Sequence, residues 1–184
     1  MAWTYTTLTQ AIKDYTENTE TTFSNNIALF VVSAEETILR TVQLPSFRKN
    51  VTGTLTANSA YLSTPTDFLY PYSLAVLDGD GVFDTTFIVG PTPGSNYTAE
   101  LHYFYKPTSI TTAADGTSWL GTNADNALLY GSLVQAYIFM KGEPDVIQLY
   151  QSQFDTALGQ LKLEADGYDR TDAYRTGQIK MRTS

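Results

Sequence analysis

The chain has no cysteine and a single histidine. Without thiolates there is neither a disulfide framework nor a cysteine-ligated metal site, and the composition agrees with a reducing cytosol. With one histidine, any Ser–His–Asp arrangement has to use His102. That residue falls on the polar face of a strand-like segment, so it reads as a surface residue. No GxxxxGK[ST] or GxGxxG motif occurs, so no phosphate-cradling loop is expected. No apolar run approaches the ~20 residues of a membrane span. The start, MAWTYTTLTQAIKDY, lacks the basic and apolar regions of a secretory signal. Basic residues are also scarce: 11 Lys and Arg stand against 19 Asp and Glu, a formal charge of −8. That balance argues against a protein that grips DNA or an anionic membrane.

Basic residues are concentrated at one end. Residues 170–184 hold Arg170, Arg175, Lys180 and Arg182 beside one acid, Asp172, for a net +3. The other seven bases and eighteen acids leave residues 1–169 at −11. An acidic body with a basic tail suggests an interaction arm. Tyr174, Ile179 and Met181 add apolar anchors that a purely solvating tail would not need. The candidate docking residues are therefore Arg170, Tyr174, Arg175, Ile179, Lys180 and Arg182.

The 184 residues fit one domain of ordinary size. Periodicity predicts four helices. The first covers about 8–17, with Thr7 and Gln10 spaced as a capping box. The second covers 23–42 and places Phe23, Ile27, Phe30, Val31, Ala34, Ile38 and Val42 on one face, stopping before Pro45. The third covers 124–141, with Asn123 or Asp125 as N-cap. It is apolar on nearly every side, which suits either the central helix of a domain or half of an interface with another chain. KGEPD then makes a tight joint, with Lys141 in the last turn, Gly142 as the residue after the helix and Pro144 opening the next. The fourth helix covers 144–165 and carries Val146, Ile147, Tyr150, Phe154, Leu158 and Leu161 on one face. Leu129, Leu133, Tyr137, Met140, Tyr150 and Phe154 are the candidates for core or subunit interface.

Between about 51 and 118 the period changes to two, and Thr, Tyr, Gly and Pro dominate. NYTAELHYFYK alternates: Tyr97, Ala99, Leu101, Tyr103 and Tyr105 face one way, with Phe104 the exception. YSLAVL, TTFIV and TGTLT supply partner strands. The expected fold is α+β: a bundle of about four helices with an inserted antiparallel β region and an extended C-terminal tail. The helices and insertion make one domain over 1–169, followed by a basic arm over 170–184.

Candidate chemistry is thin. Glu35 and Glu36 are neighbours on a helix, point apart and read as a solvated face. Asp78, Asp80 and Asp84 in DGDGVFD offer carboxylates for calcium, but Val89 stands where an EF-hand loop has its Glu. Asp-Gly pairs are also the signal of a hairpin turn, which is the expectation here. No catalytic, metal or cofactor residues are assigned. Thirteen tyrosines weigh instead toward an assembly surface.

Three stretches carry a family resemblance: AELHYFYKPTSI, then SWLGTNADNALLYGSLVQAYIFMKGEPDVIQLYQSQFDTALGQL, then DAYR. The N-terminal helix pair, TPTDFLYPYSL and FIVGPTPGSNYTAELHYFYKP extend it over nearly the whole chain. The sequence resembles the head-to-tail adaptor (connector, or neck) proteins of tailed bacteriophages. Relative to them the β insertion looks trimmed between VLDGDG and FIVGPTPG. The resemblance implies a structural virion protein rather than an enzyme. It implies a ring of twelve copies under the portal, with DNA passing through its channel without specific binding. Its partners would be itself, the portal, and downstream neck or tail proteins, with no membrane. It would be made in the host bacterial cytoplasm and reside at the head–tail junction. The alternatives are another neck or tail-completion protein, a cation- or sugar-binding β module and, more distantly, a hydrolase built on His102.

Overall fold

The computed structural model describes residues 2–58, 63–77, 83–84 and 95–175. Among them are five α-helices and four strands, so the fold is α+β. The helices are α1 (Tyr5–Thr16), α2 (Thr21–Thr41), α3 (Trp119–Asn123), α4 (Asp125–Phe139) and α5 (Pro144–Arg175). The strands are β1 (Arg48–Leu55), β2 (Phe68–Leu77), β3 (Phe83–Asp84) and β4 (Tyr97–Tyr105). They divide into a helical unit, residues 1–44 and 107–184, and a β unit, residues 45–106.

In the helical unit α4 is the centre, packed against each of the other four helices. This accounts for its apolar surface. Leu128, Leu129, Leu133, Val134 and Ala136 are buried, while Ile138 and Phe139 at its end remain exposed. Gly131 sets the packing distance. A Cβ there would lie 2.8 Å from the Phe154 ring and 3.0 Å from the Ala34 Cβ, so α2 and α5 approach α4 through a missing side chain. Beside it the buried Ser132 hydroxyl donates to the Leu128 carbonyl, so this hydroxyl is not orphaned. All seven residues expected on the α2 face are buried.

Several helix ends differ from the sequence expectation. The first helix begins at Tyr5, and its capping box is Thr4 with Thr7 rather than Thr7 with Gln10. Gln10 donates instead to Asp14 one turn on. Before α4 a short helix, α3, starts from Ser118, whose hydroxyl accepts from the Gly121 N–H. Neither Asn123 nor Asp125 caps α4; Ala124 does, without a side-chain bond, and Asp125 sits in the first turn. At the other end Lys141, not Gly142, adopts the left-handed conformation, with φ of 55°. Its N–H reaches the Ile138 carbonyl and that of Gly142 reaches Tyr137, the paired bonds of a Schellman ending. Gly142 is required for a different reason: a Cβ there would stand 2.7 Å from Tyr137 Cδ1.

The last helix, expected to stop near residue 165, continues to Arg175. Leu161 and Ala165 are still buried, so packing carries the helix through its predicted end. Residues 176–184, the rest of the expected arm, lie outside the described residues.

The segment 107–118, expected with the β region, belongs to the helical unit. Its Ile110 is fully buried, and the Ile110 N–H donates to Glu35 Oε1 at 3.0 Å. Glu35 is therefore not on a solvated face: it is 4% exposed and satisfies a loop amide that no helix or strand supplies. The N-terminus is clipped to the same region. The Trp3 N–H donates to the Gly121 carbonyl at 2.7 Å and its indole to the Asp125 carbonyl at 3.1 Å.

In the β unit the sheet order is β1-β4-β2-β3, antiparallel throughout. β1 pairs with β4 along its full length, from Arg48 opposite Phe104 to Leu55 opposite Tyr97. β2 pairs with β4 with register shifts between Phe68 and Tyr70 and between Pro71 and Ser73. The second break falls at the proline, which cannot donate to a ladder. Ala99, Leu101 and Tyr103 are buried as the alternation predicts. Phe104, the exception, is buried on the other side, with the Tyr72 ring edge-on to it and the Arg48 guanidinium 5.4 Å from its centroid. The expected strand TTFIV and the Asp78 and Asp80 turn lie outside the described residues.

Candidate functional site

Two features stand out: an aromatic face on the helical unit and a polar latch in the β unit. The face is built by α1, α4 and α5. Tyr150 of α5 is its centre, with the Tyr137 ring 5.1 Å away, Tyr130 at 6.2 Å and Tyr15 at 6.5 Å. The Tyr137 hydroxyl donates to the Tyr15 carbonyl at 3.1 Å, tying α4 to the end of α1. Burial, followed by the hydrogen bond with Tyr137, pushes the Tyr150 phenol up to about 12. These rings are only partly covered, and Tyr15 is 47% exposed. A group of half-buried tyrosines supplies rigid area with polar tips, which suits a contact with another protein and no covalent chemistry. A second aromatic group joins α2 to the end of α4: Phe139 lies 5.2 Å from Phe30 and 6.4 Å from Phe23. Phe139 is 44% exposed, so this group also reaches the surface.

The helical candidates divide between these settings. Leu129, Leu133 and Phe154 are buried in the unit's own core. Tyr137, Met140 and Tyr150 are half-buried, and the Met140 sulfur accepts from the Asn18 amide at 3.4 Å. Of the arm, Arg170, Tyr174 and Arg175 lie along the final turns of α5, while Ile179, Lys180 and Arg182 lie outside the described residues. The sequence reading picked out Tyr137 and Tyr150 but missed Tyr15 and Tyr130. Tyr130 and Tyr137 lie seven apart on one helix, two turns, which is the spacing that reveals a shared face.

The latch is centred on Asp67, which precedes β2. Lys49 Nζ lies 2.8 Å from Asp67 Oδ2, and the Tyr103 hydroxyl donates to Oδ1 at 2.9 Å. The Asp67 carbonyl also accepts from the Lys106 N–H at 2.7 Å. The Lys49 ammonium and the Tyr103 hydroxyl hold the Asp67 carboxyl below its ordinary range. In return the hydrogen bond to Asp67 raises Lys49, and Tyr103 is raised by burial and then by Asp67. The Phe68 ring stacks on Tyr103 with centroids 5.8 Å apart. One carboxylate thus fixes β1, the start of β2 and the end of β4, a structural role. His102 is on the outer face of β4, its Nε2 3.6 Å from Glu100, which also accepts from the Asn50 amide. Among the described residues no group of three potential metal ligands converges, and no helix is long and apolar enough to cross a membrane.

Residues 71–180, more than half of the chain, match the family described as SU10 adaptor protein. The chain belongs to this family. The match runs from within β2 through all of α5, so it takes in β4 with Tyr103 and the helices α4 and α5 that carry Tyr130, Tyr137 and Tyr150, while Tyr15, Lys49 and Asp67 precede it. It bears out the resemblance to phage head-to-tail adaptors. No curated protein matches the chain.

Proposed function

We propose that this adaptor is a structural virion protein that forms a homo-oligomeric ring, of twelve copies, beneath the capsid portal. The ring extends the DNA channel toward the tail and hands over to downstream neck or tail proteins. The family match carries this reading. The charge distribution supports it. A body at −11 faces a polyanion without sticking, since affinity for DNA comes from neutralised phosphates. The basic arm, through Arg170, Tyr174, Arg175, Ile179, Lys180 and Arg182, docks into an acidic groove on the portal. The half-buried tyrosines serve contacts between copies. No catalytic step and no cofactor belong to this role.

On this reading the free chain is monomeric or weakly associated, because ordering on binding costs free energy that the portal contacts must offset. Native mass spectrometry of the chain alone, then mixed with its portal, tests it. The expected result is a monomer that assembles only when the portal is added. A stable small dimer that ignores the portal contradicts it. Pull-down of DNA-free portal by wild-type and 170–184-deleted protein tests the arm. Equal recovery removes the portal-docking role and leaves nonspecific DNA contact as the reading of the arm's charge.

A further inference from the structure

One end of the helical unit presents an apolar patch outside the tyrosine face. Ile138 and Phe139 close α4 and are 53% and 44% exposed. Behind Phe139 stand Phe23 and Phe30 of α2, both buried. The turn from α1 to α2 lies beside the turn from α4 to α5, since the Asn18 amide donates to the Met140 sulfur at 3.4 Å. An exposed apolar patch rimmed by polar residues marks a contact with another molecule.

The charge of the rim points to the occupant. The two turns and the helix ends beside them present five exposed acids, Asp14, Glu17, Glu20, Glu143 and Asp145. The bases there are Lys13 and Lys141. Among the described residues no ion pair holds any of the five carboxylates. Such a surface takes a segment that bears lysine or arginine beside an apolar side chain. The chain's own basic arm leaves from the far end. α5 starts beside the patch at Pro144 and runs 32 residues to Arg175, about 48 Å of helix. Residues 176–184 span about 30 Å even when fully extended, so the arm does not reach its own patch. We propose that the patch is the docking surface for the next neck or tail protein, which meets it with a basic segment carrying an apolar side chain. This deepens the adaptor reading and rests on it. The arm then faces the portal, and the acidic, apolar end of the same helix faces the tail.

The test uses phage whose full-length chain carries Glu17→Lys, Glu20→Lys and Glu143→Lys together or, separately, Phe139→Ser. All four side chains are exposed, so the purified variants are expected to keep the wild-type circular dichroism. If Phe139→Ser loses its helical signal, the lysine variant alone decides. Electron microscopy of the particles is expected to show the chain still on the capsid, with tail attachment cut more than about tenfold. Plaque-forming revertants of the lysine variant are expected to replace a base by an acid in the downstream protein. Tail attachment at the wild-type level overturns the proposal. So do revertants that map to the portal, since the patch then faces the head. Wild-type rings that stack end to end, and cease to do so when residues 170–184 are deleted, make another copy's arm the occupant and overturn it as well. Wild-type particles without this chain at the head–tail junction are a separate outcome, which removes the adaptor reading and this proposal with it.

Discussion

At the middle of α4 a missing side chain, at Gly131, lets α2 and α5 close on the helix, and the contacts are ring and methyl carbons. In the β unit, by contrast, an ammonium, a carboxylate and a phenol at the strand ends hold the sheet together. The first arrangement is insensitive to salt and pH and intolerant of volume. The second tolerates volume and responds to both. A phage adaptor needs a rigid scaffold and surfaces that engage partners in turn. The helical unit is built as the scaffold. The β unit depends on those charged strand-end contacts for its register.

The comparison breaks most readily at Leu133, which is fully buried. Leu133→Asp places an unpaired charge at the centre of the bundle, at a cost of several kcal/mol against a total stability of about 5–15 kcal/mol. Loss of helical circular dichroism at room temperature is the expected result, and a folded variant melting near wild type contradicts the central role of α4. Gly131→Ala probes the same point more gently. Its Cβ meets Phe154 and Ala34 at 3.0 Å or less, so overpacking of about 1–3 kcal/mol is expected in chemical denaturation.

The joint after α4 offers a finer test, because its two residues have opposite requirements. Lys141 holds a positive φ that glycine adopts freely, so Lys141→Gly should stabilise by about 0.5–1 kcal/mol. Gly142→Ala should destabilise, since its new methyl meets the Tyr137 ring. Thermal melts of the two variants should therefore move in opposite directions.

The latch should give the β unit its own pH response. Asp67 has a folded pKa below its ordinary value of 3.8. Its contribution is therefore complete above that value and is lost as the pH falls below it toward the folded pKa. In Asp67→Asn this acid-dependent part disappears, which amide signals of β1 and β4 followed by NMR during an acid titration will register. Tyr150 responds with the opposite sign. Its pKa is raised from 10.0 to about 12, so its contribution is intact below pH 10 and fades between there and 12. Tyrosinate absorbance should show, besides the raised Tyr103, a late-titrating phenol that is absent from Tyr150→Phe.

Sequence periodicity revealed the bundle and the main strands because burial writes itself into spacing: every predicted α2 core position is buried. It erred where tertiary contacts override local signals. Glu35 looks solvated beside Glu36 until Ile110, 75 residues away, supplies an amide for it. Gly142 looks like the left-handed residue, but Lys141 takes that role because the glycine is needed against Tyr137. The tyrosine face was half legible. Tyr15, Tyr137 and Tyr150 all stood on predicted helices, but Tyr15 joined the other two only once α1 packed against α4. The latch was not legible at all, since Lys49, Asp67 and Tyr103 come together only through strand pairing.

The account as a whole turns on where the chain sits in the particle. Electron microscopy of purified virions or isolated necks, at a resolution that traces α4 and α5, locates it directly. The account predicts a twelve-copy ring of this chain between portal and tail, with the C-terminal ends of α5 against the portal. Its density elsewhere in the particle, or single copies without a ring at that junction, would contradict it.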